Sequence, residues 1–291
     1  MNDRRKMSLA RLRLRAWRYS ADLRRAVRRQ GSARSALMSL GSPQRSNLDE
    51  WIEATDTRHD DYRQGHIIPE GRAAIVCVSI RPTLLDAVVT NIKRQRDVDV
   101  EVVFVANSQT FDMKQVEEAF AWLDRVVIIR PPESTTLGSA LNQAMDLTDA
   151  RFVAKFDDDD LYGPGFLADS LRAHGYAGAG VVGKHTYFAR LEPSGETHLR
   201  FPANEFRYSG TLAGGTLVLD RDRIGDQQFE DISLGEDRAF LAQCHRRGFS
   251  TFSADRFNFV QMRTGSNTWT IDDAAFLTDS VPVPPSTAID R

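Results

Sequence analysis

Four runs of apolar, largely β-branched residues, alternating with segments of helical periodicity, constrain this chain more than any other feature. Residues 73–80 (AAIVCVSI) are apolar on both faces, as expected of a strand buried within a parallel sheet. Arg81-Pro82 breaks the run, and residues 83–95 carry a helical apolar period with Thr83 as N-cap. Residues 101–106 (EVVFVA), 125–129 (RVVII) and 151–156 (RFVAKF) predict three further strands, with helices over 112–123 and 136–147. Three βα units in about 85 residues predict an α/β fold, a mostly parallel central sheet flanked by helices and joined by right-handed crossovers. Ligands of such sheets bind outside the carboxyl ends of the strands. Those ends are where the chemistry is to be sought.

The first strand runs into Ser79-Ile80-Arg81-Pro82, and neither G-x-G-x-x-G nor G-x-x-x-x-G-K-[ST] follows it. A dinucleotide-binding domain and a P-loop are therefore disfavoured. The second strand ends at Asn107-Ser108. The fourth ends in Asp157-Asp158-Asp159-Asp160. Four carboxylates directly after a buried strand repel one another unless something positive sits among them. A hard divalent cation carrying substrate phosphates is the economical answer, since Mg²⁺ and Mn²⁺ take a few carboxylates plus phosphate oxygens. One Asp can instead cap the helix expected over 164–173, but four exceed what a cap needs.

Beyond that helix the alternation lapses. Residues 181–191 and 197–201 read as a hairpin around Pro193-Ser194-Gly195. Residues 211–219 (TLAGGTLVL) read as a strand whose paired glycines imply close approach of a ligand or another backbone. Residues 231–236 lead into an amphipathic helix over 237–247, closed by Gly248. Taken alone, Glu236 and Asp237 at its start are capping acids favoured by the helix dipole.

The charge is divided unevenly. Residues 1–45 hold 13 of the 38 Lys and Arg and two acids, a net of +11; the remainder holds 25 bases against 38 acids, a net of −13. From Leu9 to Ala26 apolar and small residues recur in steps of three and four, with arginines around the rest. This arm is expected to form a basic amphipathic helix able to lie on an anionic membrane surface. A solvated leader weighs equally. Residues 46–71 read as a linker with one short helix, 72–270 as the main domain and 271–291 as a tail. No run approaches the ~18 apolar residues of a membrane span, and the N-terminus lacks a signal-peptide apolar core. Cys77 and Cys244 have no metal-type spacing and read as buried reduced thiols. A cytoplasmic protein, peripheral on the inner membrane face through its arm, is expected.

From residue 73 to 269 the order of these pieces resembles family 2 glycosyltransferases of the GT-A fold. The resemblance rests on VSIRP after the first strand, LGSALNQA before the metal strand, KFDDDD at the DxD position, GGTLVLDRDRI, and LGEDRAFLAQCHRRG at the "ED" position. It implies that Ser79, Arg81, Asn107, Asn142, Asp157 and Asp158 line the nucleotide-sugar pocket and that Asp159 with Asp157 binds Mn²⁺ or Mg²⁺. Asp237, supported by Glu236, is implied as the general base. Asn107 stands where many members place an Asp against the base, and Asn267 where many have a His before the Thr-Trp pair. The Q-x-x-R-W motif of processive members is absent, so a single sugar is implied per acceptor. The implied activity is inverting, metal-dependent transfer from a nucleotide-diphosphate donor to a glycan, lipid-linked or other hydroxyl acceptor, in cell-surface polysaccharide or glycoconjugate synthesis.

A nucleotidyltransferase would need a basic Gly-rich loop after the first strand, where SIRPTLLD stands. An Asp-nucleophile phosphatase would carry its acids after the first strand, not the fourth. A nucleic-acid binder is disfavoured by the −13 body. An inactive glycosyltransferase-like scaffold is the remaining alternative, suggested by Asn107 and Asn267.

Overall fold

The computed structural model describes residues 48–192, 194–264, 272–284 and 290; the basic arm and Asn267-Thr268-Trp269 lie outside them. In chain order come α1 (Leu48–Gly65), β1 (Ala73–Ser79), α2 (Leu85–Lys93), β2 (Val100–Ala106), α3 (Met113–Phe120), β3 (Val126–Ile129), α4 (Leu137–Asp146) and β4 (Phe152–Phe156). Then follow β5 (Leu161–Tyr162), α5 (Phe166–Ala177), β6 (Val181–Gly183), β7 (Tyr187–Leu191), β8 (Thr197–Arg200), β9 (Arg207–Tyr208), β10 (Val218–Asp220) and α6 (Arg221–Ile224). The last elements are α7 (Glu236–Arg246), β11 (Thr251–Ser253), β12 (Phe259–Arg263), α8 (Asp273–Phe276) and β13 (Ser280–Pro282).

The expected parallel sheet is present. Eight strands run in the order β3-β2-β1-β4-β10-β6-β11-β9, with β1 to β4 mutually parallel. Alternate residues of β1 enter two cores. Ile75 and Cys77 pack with Val88, Ile92, Phe120 and Phe166 from α2, α3 and α5. Val76 packs with Leu141, Met145, Phe240 and Cys244 from α4 and α7 on the other face. Period-2 alternation of an all-apolar strand thus builds a three-layer sandwich. Both cysteines are free and buried.

Register positions the functional edge. Ser79 is level with Ala106, and Cys77 with Phe156, so β1, β2 and β4 end together and deliver Arg81, Asn107 and Asp157 to one rim. β10 runs antiparallel to β4, so the residues that precede it reach the same rim. A second sheet, β13-β8-β7-β12-β5, closes the far side.

Three expectations change. The segment read as a linker contains the 18-residue α1, which buries Trp51, Thr55 and His59 at spacings of four. Its docking face is largely polar, so it carries no apolar stripe to read. Part of the tail is built into the fold, with β13 pairing to β8. Gly214 and Gly215 stand in a 3₁₀ turn ahead of β10, not within a strand. No helix among the described residues is long and apolar enough to cross a membrane.

Candidate active site

The acidic run leaves β4 with alternating orientation. Asp157 and Asp159 are partly exposed, whereas Asp158 and Asp160 are buried. The inner pair does internal work. Asp158 accepts the Ser79 hydroxyl at 2.5 Å and a two-pronged ion pair from Arg81, through Nε at 3.1 Å and through Nη2. This bolt ties the ends of β1 and β4 and leaves the Ser79 and Asp158 side chains buried. Asp160 accepts the Met262 N–H at 3.0 Å, and its own carbonyl takes the Asn91 amide at 2.8 Å. Burial, with Asp159 and Asp157 beside it, pushes the Asp160 carboxyl well above its ordinary range.

Two cations already sit among these acids. Arg81 reaches Asp159 Oδ2 at 3.0 Å as well as Asp158. Lys155, buried in β4, places Nζ 2.6 Å from Asp157 Oδ1 and 3.7 Å from Glu236 Oε1. Those carboxylates outweigh the cost of burying its charge and hold its pKa above the ordinary lysine value. Part of the repulsion that the sequence argument assigned to a metal is therefore relieved from within. The signal for Lys155 was readable: a lysine inside an otherwise apolar strand needs a buried acid.

The exposed pair fits a divalent cation. Asp157 and Asp159 offer hard oxygen ligands two residues apart on one side of the chain, and Asp157 keeps Oδ2 outside its contact with Lys155. Burial raises the Asp159 pKa against the pull of Arg81, the condition of a carboxylate that gains from an added positive charge.

Gly214 and Gly215 bring the second acidic pair to the first. A Cβ on Gly215 would lie 2.8 Å from Asp157 Oδ2 and 2.9 Å from Asp160 Oδ2; one on Gly214 would lie 2.0 Å from Asp237 Oδ2. What approaches these glycines closely is carboxylate. Tyr162 pins the turn by donating to the Gly215 carbonyl at 2.6 Å while accepting the Asp157 N–H at 2.8 Å. Gly235, at φ 79°, starts α7 and swings Glu236 inward and Asp237 toward the turn. Asp237 Oδ1 accepts the Arg238 N–H at 2.6 Å, as a first-turn acid does. Burial raises the Glu236 pKa, an effect Lys155 opposes.

Asn107 and Asn142 part company. Asn107 is buried at the end of β2; its Nδ2 donates to the Thr135 carbonyl at 2.9 Å and its Oδ1 has no hydrogen-bond partner. Asn142 is committed at both ends to Phe229, donating to its carbonyl and accepting its N–H, each at 2.9 Å. It positions the loop that feeds α7.

A second group, His59, Asp169 and Asp255, brings possible ligand atoms within 4.8 Å of one another. Its acids are already neutralised. Arg63 and Arg172 bind Asp169, and Lys184 binds Asp255 at 3.1 Å. It works as a clasp holding α1 to the body.

Residues 73–226 match the family model described as "Glycosyl transferase family 2". Among solved structures, Staphylococcus aureus TarS 1–349 in complex with UDP-GlcNAc is similar at TM-score 0.53 and 15% identity, covering 71% of this chain and 64% of that one. The mannosyltransferase PcManGT from Pyrobaculum calidifontis, in complex with GDP-Man and Mn²⁺, is similar at TM-score 0.53 and 14% identity, covering 75% and 67%. The chain thus spans less than two thirds of the TarS fragment, and identities this low establish fold alone. No curated protein matches the chain.

Proposed function

Because the matched region spans more than half of the sequence, the chain belongs to glycosyl transferase family 2 and has the GT-A fold, and we propose that it is an inverting, metal-dependent, non-processive transferase. One observation carries the proposal: the Gly214-Gly215 turn gathers Asp157 and Asp237, from distant parts of the sequence, at one strand rim. A bound Mn²⁺ or Mg²⁺, held by Asp157 and Asp159, would supply charge neutralisation at the leaving diphosphate.

The protein's own groups do the rest. Asp237 takes the proton of the acceptor hydroxyl. That oxygen forms a bond to the anomeric carbon as the bond to the diphosphate oxygen breaks on the opposite face, inverting the centre. A positioned base contributes typically about 10²–10⁴-fold. Arg81, partly exposed beside Asp159, lies where a diphosphate oxygen can share its guanidinium. Asn107 Oδ1, a buried acceptor lacking a donor, suits a ring N–H of the nucleotide base. UDP-GlcNAc in the TarS complex and GDP-Man in the PcManGT complex make nucleotide-diphospho-sugars the donor class to test. A glycan, lipid-linked or other hydroxyl acceptor follows from the same reading, as does a place in cell-surface polysaccharide synthesis. The +11 arm supports peripheral contact with an anionic membrane.

The test is a panel of nucleotide sugars assayed for hydrolysis with and without Mn²⁺, beside Asp159→Ala. Metal-dependent turnover of one donor, lost in the variant, is expected. Calorimetry that finds UDP affinity with Mn²⁺ unchanged in the variant would overturn the metal assignment.

A further inference from the structure

Lys184, the residue after β6, carries a buried ammonium that the transfer chemistry does not use. Its Nζ lies 2.8 Å from the Asp255 carbonyl, 3.1 Å from Asp255 Oδ1 and 5.5 Å from the centre of the Phe166 ring. A methionine would fill the same space without desolvating a charge, and a buried ion pair seldom adds stability over such a replacement. Fixing register is the best-attested use of a pair of this kind. What Lys184 registers is read from its own backbone. Its N–H donates to Thr216 Oγ1 at 2.8 Å, and its carbonyl accepts the Ala213 N–H at 2.8 Å. These two partners bracket Gly214 and Gly215.

The grip is close. Thr216 is wholly buried, and the hydroxyl that accepts from Lys184 donates to the Ala213 carbonyl at 2.7 Å. One oxygen thus closes the glycine turn on itself and ties it to the end of β6. A Cβ on Gly183 would stand 3.0 Å from that oxygen, so strand and turn meet with no side chain between them. On the opposite side Tyr162 of β5 holds the Gly215 carbonyl. The turn is clamped between β5 and β6, and its glycines meet Asp157 and Asp237. The Lys184 side chain leads the other way, to the corner on which α1 docks. There Arg256 donates to Thr55 Oγ1 at 2.7 Å, and the Phe257 ring lies 4.8 Å from His59. One lysine joins the seat of α1 to the turn that spaces the acids.

We propose that Lys184 and Thr216 are positioning residues of the transferase, fixing the glycine turn so that Asp237 is held at its working distance from Asp157. Neither touches substrate; both act through Asp157 and Asp237. The catalytic consequence rests on the transferase reading above, whereas the mechanical link does not.

The experiment compares the full chain with Thr216→Val, Thr216→Ser and Lys184→Met. Valine keeps the volume but puts a methyl where Oγ1 stands, 2.8 Å from the Lys184 nitrogen and 2.7 Å from the Ala213 oxygen. Carbon contacts need about 3.5 Å, so the turn must move off β6. Hydrolysis of the nucleotide-sugar panel with Mn²⁺ is measured per UDP-binding site counted by calorimetry, beside Tm and crystal structures of wild type and Thr216→Val. A shift of about 1 Å costs on the order of 100-fold, and a loss of that size in kcat at unchanged donor KM is expected in Thr216→Val. Thr216→Ser, which keeps the hydroxyl, should recover most of it. Lys184→Met should lower kcat in the same sense; where it fails to fold, the two Thr216 variants decide. A merely structural role would lower Tm and leave kcat per binding site unchanged, and that result overturns the proposal, as does a Thr216→Val structure with the turn and the Asp157–Asp237 spacing unmoved. A moved turn in a protein whose wild type hydrolyses no donor counts against the transferase reading and leaves the link standing.

Discussion

At the scale of single residues, Asp237 has two faces. One oxygen takes a first-turn N–H, and the other meets the glycine turn beside the metal-ligand candidates. A cap and a base respond differently to Asp237→Asn. As a base, Asp237 should be replaced at a loss of about two to four orders of magnitude in kcat, with donor affinity and Tm retained; as a cap alone, Asn should leave turnover near wild type. Kinetics with the acceptor beside a melting curve decide. Lys155 touches no substrate in this scheme and is a positioning residue. Its charge lowers the Glu236 pKa that burial raises. In Lys155→Met, Glu236 should therefore hold its proton to higher pH, and the acid limb of the kcat/KM profile should move to higher pH. A purely structural lysine would leave that limb in place while lowering stability.

Between elements, the glycine turn sets the distance from the metal strand to α7. Gly214→Ala would put a methyl 2.0 Å from Asp237 Oδ2, so the Asp237 carboxylate must move. Displacing a catalytic group by about 1 Å costs on the order of 100-fold, and a loss of that size in kcat with the sheet intact is the expected outcome, checked by turnover and far-UV spectra together. This turn also marks how far the sequence could be read. Strands β1 to β4 were legible because a continuous apolar run between turn signals has few other uses. The DDDD stretch stood out as chemistry, since unpaired acids at a strand end are costly, whereas Glu236 and Asp237 taken alone read as helix-capping acids and drew a chemical role only from the family resemblance. The division of labour within them was not. Alternation along the chain after β4 turns Asp158 and Asp160 inward, and which parity faces solvent depends on Arg81 and Met262, 77 and 102 residues away. The Asn142 contact with Phe229, 87 residues on, was hidden for the same reason. α1 escaped because it docks through ion pairs: Arg256 joins Glu205 at 3.1 Å and Asp56, and polar pairing leaves no period in the sequence.

Across the whole molecule, charge is the organising quantity. The arm opposes an acidic body, so the full chain should pellet with anionic vesicles at low salt and release as salt rises past ~0.1 M, where the screening length falls to about 10 Å; a chain lacking residues 1–45 should not pellet. Within the body, the clasp of α1 obeys the same electrostatics with a pH window. Burial disfavours ionised Asp169, but contacts from His59 and Arg63 outweigh it and lower its pKa from 3.8 to about 2. A depressed carboxyl stabilises the fold above its unfolded value, and that contribution, about 2 kcal/mol, is lost as pH falls from about 4 to about 2. His59 moves the other way: burial lowers its pKa, yet Asp169 and Asp255 raise it overall above 6.5. Its contribution is complete below 6.5 and is lost as pH rises through the raised value. The clasp is therefore tightest in the window between the two. In Asp169→Asn the first effect vanishes and the second is reduced to what Asp255 supplies, while Arg63 and Arg172 lose their buried partner. The stability difference between wild type and variant, from urea unfolding, should be largest at about pH 5.5 and smaller at about pH 2.5 and about pH 8.5. A difference constant across that range would mean that α1 is held by Trp51 and its neighbours alone, with the ion pairs contributing nothing.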